Sequence, residues 1–152
     1  MIWIAAALLA QTAAPAACPA VDQSLPAALA GWRSPAPLAG GTLAPGTFAR
    51  VSLAADPHFT LTSSRGSEPG TFGAAFAVTI ASAGTYDVLV SDRAWIDLVA
   101  AGATLRPTAH GEGPACTSIR RKLSFTLTPG TYSLQISGSH ARDIELAILP
   151  TH

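Results

Sequence analysis

Charge is scarce in this chain: 12% of the 152 residues are Asp, Glu, Lys or Arg, and nine basic side chains balance nine acidic ones. Without a basic excess, nothing steers it toward nucleic acid or an anionic membrane surface. No apolar run reaches the ~20 residues that a membrane-spanning helix needs. No Gly-x-Ser-x-Gly elbow, no Cys-x-x-Cys and no His-x-His or His-x-x-x-His pair occurs, so the usual motifs of serine hydrolases and zinc sites are missing. Only two cysteines are present, Cys18 and Cys116. No convincing long helical pattern appears either, and Gly and Pro punctuate the chain throughout.

What the chain does have is a pattern used twice. Phe76-Ala-Val78-Thr-Ile80 is followed by Gly84-Thr85-Tyr86-Asp-Val88-Leu-Val90, and Leu123-Ser-Phe125-Thr-Leu127 by Gly130-Thr131-Tyr132-Ser-Leu134-Gln-Ile136. Period-two alternation places Val78, Ile80, Tyr86, Val88 and Val90 on one face, and their counterparts likewise. The expectation is two β-hairpins, each with one wet face and one buried face. A third strand follows each copy, Ile96-Asp97-Leu98-Val99 and Ile144-Glu145-Leu146-Ala147. The turn chemistry recurs a third time at Pro45-Gly46-Thr47-Phe48, with Val51 and Leu53 continuing a strand and Phe59 and Leu61 forming another. The fold class expected is all-β: a single β-sandwich or jelly roll of about eight strands with a duplicated hairpin-plus-strand unit.

The N-terminus reads as an export signal. Ile2 to Ala10 is continuously apolar and Ala14-Pro15-Ala16 fits an A-x-A cleavage site, so residues 1–16 are read as a signal peptide and the mature chain starts near Ala17. Pro15 occupies the place where a lipobox carries a Leu-like side chain, which favours soluble export over lipidation at Cys18. Residues 17–42 form an Ala/Pro-rich arm with Trp32 as its anchor and one helical turn near Leu25 to Trp32; residues 43–152 form the sandwich. In an oxidising compartment Cys18 and Cys116 are expected to pair, closing a loop of about a hundred residues and so restricting the unfolded chain. The alternative is a free Cys116 in a loop. Localisation is accordingly periplasmic or secreted.

Chemistry-bearing groups are few. The loop His110-Gly-Glu112-Gly-Pro114-Ala-Cys116 shares part of a zinc-deaminase signature, but the second Cys ligand is absent. His110, Glu112 and His140 make only a weak metal set, and no metal or cofactor is assigned. Asp97 and Glu145 are the best carboxylate pair, yet alternation opposes both to their apolar neighbours, so solvated strand positions are expected. The run Arg120-Arg121-Lys122 is read as strand-entry charge, with anion contact as the alternative. Trp95 stands at a strand start, where an aromatic either caps the core or offers a flat surface to a ligand. If a binding face exists, Trp95, Asp97, Arg93, His110 and Glu112 are its candidates, because they bracket one strand and the segment that follows.

The block from Phe76 to Ile148, with its strand, Gly-Thr-Tyr turn and return strand, resembles the pre-peptidase C-terminal type of secreted β-sandwich. That resemblance implies a module without catalytic residues, an appendage to secreted enzymes. Ala94-Trp95-Ile96-Asp97, His110-Gly111, Gly113-Pro114, Cys116, Ile119-Arg120, Phe125 and Gly130 to Gly138 are also similar to a group of small exported alphaproteobacterial proteins. Some of these carry the label homogentisate 1,2-dioxygenase, which implies iron held by two His and one carboxylate. Here the histidines are scattered over loops and termini. The function expected is therefore a non-enzymatic binding or accessory module of the cell envelope, with an unidentified protein or glycan partner. The alternatives are an iron-dependent dioxygenase, needing His110, Glu112 and His140 or His58 to converge, and a carbohydrate-binding module, needing Trp95 or Trp32 exposed beside polar groups.

Overall fold

A computed structural model describes residues 17–55 and 65–151. The signal segment 1–16, the strand expected at Phe59 and Leu61, and His58 and His152 lie outside the described residues. The described chain starts with an arm carrying a short 3-10 helix, Ala27–Arg33. Eleven strand segments follow: β1 Ala36–Pro37, β2 Phe48–Ser52, β3 Ala54–Ala55, β4 Phe72–Ile80, β5 Gly84–Val90, β6 Trp95–Ala100, β7 Ala103–Thr104, β8 Ala109–Gly111, β9 Arg121–Leu127, β10 Gly130–Ser139 and β11 Asp143–Pro150. They form two sheets, one ordered β1-β2-β11-β5-β9-β8 and the other β3-β4-β10-β6-β7. This is an all-β sandwich. The strand count exceeds the expected eight because four segments have only two or three residues, each at or next to a sheet edge.

Alternation decides what each strand buries. Phe76, Val78 and Ile80 of β4, Tyr132, Leu134 and Ile136 of β10, and Ile96 and Leu98 of β6 meet Tyr86, Val88 and Val90 of β5, Phe125 and Leu127 of β9, and Ile144, Leu146 and Ile148 of β11 in one core. Each fully buried Val, Leu, Ile or Phe contributes roughly 1.5–3 kcal/mol relative to exposure.

The hairpins expected from the repeat do not form. β4 does not pair with β5, nor β9 with β10; each Gly-Thr-Tyr turn carries the chain from one sheet across to the other. The two copies pair with each other instead. β4 lies antiparallel to β10 with Phe76 opposite Leu134, and β5 lies antiparallel to β9 with Tyr86 opposite Phe125. The third strand of each copy joins the other copy's middle strand, β6 on β10 and β11 on β5. Both crossings are fixed the same way: the Tyr86 hydroxyl donates to the Ser82 carbonyl at 2.8 Å, and the Tyr132 hydroxyl to the Thr128 carbonyl at 2.7 Å. A tyrosine whose hydroxyl reaches back to the backbone upstream is the corner device of immunoglobulin-type sandwiches.

Neither outer face is simply wet, which also departs from the alternation reading. The arm covers part of the first sheet: Trp32 is buried with Leu89, Ile119 and Ala147, and Leu25, Leu29, Phe48 and Leu149 pack around them. The Trp32 ring meets Phe48 edge-on, with centroids 6.3 Å apart. Gly31 lies so close to Phe48 that a Cβ there would stand 2.4 Å from its ring, which explains a glycine inside this helical turn. A hydrogen-bonded chain secures the arm: Trp32 Nε1 donates to Ser118 Oγ at 2.8 Å, and Ser118 Oγ donates to Asp22 Oδ2 at 2.6 Å. Cys18 and Cys116 form a disulfide whose Cα atoms are 5.3 Å apart, across a sequence separation of 98 residues.

Two stability outcomes follow from this wiring. Replacing Cys116 by Ser opens that loop and should lower unfolding stability by ~4–5 kcal/mol, read by urea titration of oxidised protein. Tyr86→Phe and Tyr132→Phe each remove one hydroxyl-to-carbonyl bond and should cost about 1 kcal/mol apiece. A neutral effect at both tyrosines would mean that the corners do not hold the crossings.

Candidate functional site

The site forms where β6 leaves its turn. The connection Ser91–Ala94 is held by Asp92, whose carboxylate accepts from the backbone N–H of Arg93 at 2.8 Å, from Ser139 Oγ at 2.6 Å, and from the N–H groups of His140 and Ala141 at 2.9 and 3.2 Å. Partial burial works against its charge, but the bonds from Ser139, Arg93, Ala141 and His140 outweigh that effect and hold the carboxyl below its ordinary value of 3.8. One side chain thus locks the β5–β6 connection to the β10–β11 turn and fixes where Arg93 and Trp95 emerge.

Alternation then sends Ala94, Ile96 and Leu98 into the core and Trp95, Asp97 and Val99 to the opposite face, across from Ser137, Gln135 and Ser133 of β10. A loop crosses this face. Ser137 Oγ donates to the Arg65 carbonyl at 2.8 Å, and the Arg65 guanidinium donates to Asp97 Oδ1. Asp97 is consequently 2% exposed, and its Oδ2 has no hydrogen-bond partner among the described residues. The expectation of a solvated Asp97 is corrected here: a loop from far upstream in the sequence covers it. Glu145 lies in the other sheet, half-buried, with Arg50 Nε at 3.5 Å. The two carboxylates therefore form no pair.

Gly66 makes the close approach that seats this loop. It adopts φ +71°, and a Cβ there would stand 2.0 Å from Trp95 Cδ1. Gly138, at φ +64°, backs onto Gly66, where a Cβ would meet the Gly66 carbonyl oxygen at 2.5 Å. Trp95 remains 40% exposed. The Arg65 guanidinium carbon sits 4.9 Å from the centre of its ring and that of Arg121, at the start of β9, 5.4 Å from it. Both lie within cation–π range.

Around Trp95 opens a cavity of about 410 Å³ lined by Arg65, Arg93, Trp95, Ile96, Pro107, His110, Gly111, Glu112, Arg120, Arg121 and Leu123. The structure thus brings together four of the residues singled out from sequence, Trp95, Arg93, His110 and Glu112, and places Asp97 beneath them, joined to the cavity through Arg65. His110 lies on the edge strand β8, opposite Leu123 of β9, rather than in a loop. His140 is exposed at the β10–β11 turn and does not line the cavity. Among the described residues, no three His, Cys, Asp or Glu side chains gather as a metal set, so His110, Glu112 and His140 do not converge.

Sequence reasoning missed Arg65, which sits in an aperiodic Gly/Ser/Pro loop and gives no signal. For Arg120 and Arg121 it favours strand-entry charge and holds anion contact only as the alternative. The neighbouring Lys122 points elsewhere, to Asp87 at 3.3 Å. Alternation along β9 could have separated Arg121 from Lys122, because Arg121 shares the parity of Phe125 and Leu127.

No family model and no curated protein matches the chain. Among solved structures it is similar to the pre-peptidase C-terminal domain of a collagenase from Bacillus anthracis, at 17% identity and a TM-score of 0.46, over 74% of this chain and 97% of that one. The sandwich assignment rests on the two sheets themselves.

The lowered Asp92 carboxyl has a testable consequence. Because its folded value lies below the unfolded one, its contribution is complete above about pH 4 and is lost as pH falls through the folded value. Asp92→Asn should lower stability on the order of 1–2 kcal/mol at neutral pH. The gap from wild type should shrink on acidification in urea titrations. An equal gap at neutral and strongly acidic pH would contradict the role given to Asp92.

Proposed function

We propose that the protein is an exported binding or accessory module with no catalytic role, acting in the periplasm or outside the cell, and that its ligand occupies the Trp95 cavity. The observation that carries this reading is Trp95 itself. Among the described residues, the large apolar side chains left exposed are Val21 and Trp95, and only Trp95 lines the cavity. A half-exposed indole seated by two close-packed glycines presents a rigid apolar surface beside polar groups, the usual composition of a ligand pocket. Pockets of a few hundred Å³ suit small ligands or the end group of a larger one.

Export is supported by the apolar N-terminal run with its A-x-A site and by the Cys18–Cys116 disulfide, a bond that persists in oxidising compartments. No helix among the described residues is long and apolar enough to cross a membrane. Of the alternatives, carbohydrate binding keeps a specific observation in its favour, since Trp95 is exposed beside Arg93, His110 and Glu112 while Trp32 is buried. The dioxygenase alternative has no gathered ligand set among the described residues.

Two measurements test the proposal. Cell fractionation with mass spectrometry of the N-terminus should find the protein outside the cytoplasm, starting near Ala17; a cytoplasmic chain retaining Met1 would contradict export. Thermal-shift screening against envelope glycans and peptidoglycan fragments should yield a ligand that stabilises the wild type. Trp95→Ala should weaken that ligand roughly ten-fold or more, the cost of removing an aromatic anchor. Equal affinity in the variant would place the ligand elsewhere.

A further inference from the structure

We infer that the ligand of the Trp95 cavity, a site that rests on the reading above, carries oxyanion groups, carboxylate or phosphate, held by guanidinium groups of Arg65, Arg93, Arg120 and Arg121. The first ground is charge. Four of the nine Lys and Arg side chains of a chain with no net charge line this one cavity, against the lining acid Glu112 and Asp97 buried beneath Arg65, which leaves an excess of two positive charges. Gathering like charges is unfavourable unless an opposite charge completes the arrangement.

The second ground is what three of these arginines, Arg93, Arg120 and Arg121, lack. Among the described residues, neither Arg120 nor Arg121 has an acidic side chain within 4 Å. Arg93 meets Glu112 only at 3.6 Å, with both side chains 72% exposed, a pairing too solvated to satisfy either strongly. The guanidinium donors of Arg93, Arg120 and Arg121 are therefore open to an incoming acceptor.

The third ground is preorganisation. Buried Asp97 holds the Arg65 guanidinium from below, and the Trp95 ring braces Arg65 and Arg121. An arginine already fixed by a ring or a carboxylate loses less freedom when it binds, and its planar fork matches carboxylate and phosphate oxygens in pairs. A neutral ligand would leave this arrangement unused. Arginine clusters are a recurring solution for acidic ligands.

The test is isothermal titration of the oxidised mature chain with digalacturonate, glucose 1-phosphate and, as the uncharged probe, cellobiose. At least one charged probe should bind wild type, more weakly as salt rises from about 20 to about 300 mM. The Arg120→Gln/Arg121→Gln double variant should lose about ten-fold or more in affinity with unchanged thermal stability. Arg121→Lys, which keeps the charge but not the fork, should fall between the two. Binding of digalacturonate identifies a carboxylate ligand, and binding of glucose 1-phosphate a phosphate. No binding of either charged probe, or binding unchanged in the double variant, overturns the inference. Cellobiose binding that is lost in Trp95→Ala but indifferent to the arginine substitutions also overturns it, while leaving the Trp95 site standing.

Discussion

The two copies of the repeat need each other. Every long strand of one copy takes its principal partner from the other: β4 from β10, β5 from β9, β6 from β10 and β11 from β5. A lone copy would place its first two strands in different sheets with no ladder to join, leaving backbone N–H and C=O groups unsatisfied. The sandwich therefore closes as one interlocked unit, with a tyrosine corner at each crossing. It is built mainly from non-local contacts, a topology that folds slowly relative to helical domains of the same size.

That interlocking also assembles the site. Trp95 begins the third strand of the first copy and Arg121 the first strand of the second. Their meeting over one ring depends on both sheets being in register. Asp92 fixes the entry to β6, and the Arg65 loop presses on Trp95 from the outer face through Gly66. Burying Asp97 under that loop is costly for a carboxylate. The cost is offset by the Arg65 guanidinium, which is half-exposed and so bridges a buried acid to an open cavity. Asp97 thereby supports the site by holding an arginine at its edge.

Much of this was legible in the sequence, for reasons that are physical. Period-two alternation encodes which side of a strand is buried, so Val78, Ile80, Tyr86, Val88 and Val90 were identifiable as core. Alternation does not encode which strand is the neighbour. The short link Ala81–Ala83 serves a hairpin or an inter-sheet crossing equally well, and the tyrosine two residues after each glycine was the only sign of the crossing. Trp95, Arg93, His110 and Glu112 could be grouped because they bracket one strand and the segment after it. Burial of Asp97 could not be foreseen, since it depends on a loop with no periodicity and no apolar pattern. Arg121 was hidden by its neighbours: in a run of three basic residues, only the register of β9 separates the one over Trp95 from the one paired with Asp87.

The central claim is that guanidinium groups around Trp95, and not the chain's other arginines, form an oxyanion site. Side-chain Nε–Hε resonances of arginine report this directly by NMR during titration with digalacturonate or glucose 1-phosphate. The account predicts saturable shifts at Arg65, Arg93, Arg120 and Arg121 with one shared affinity. Arg33, which donates to the backbone of Asp22 and Gln23, and Arg50, beside Glu145, should stay in place. Shifts spread evenly over every arginine, or confined to residues away from Trp95, would contradict it.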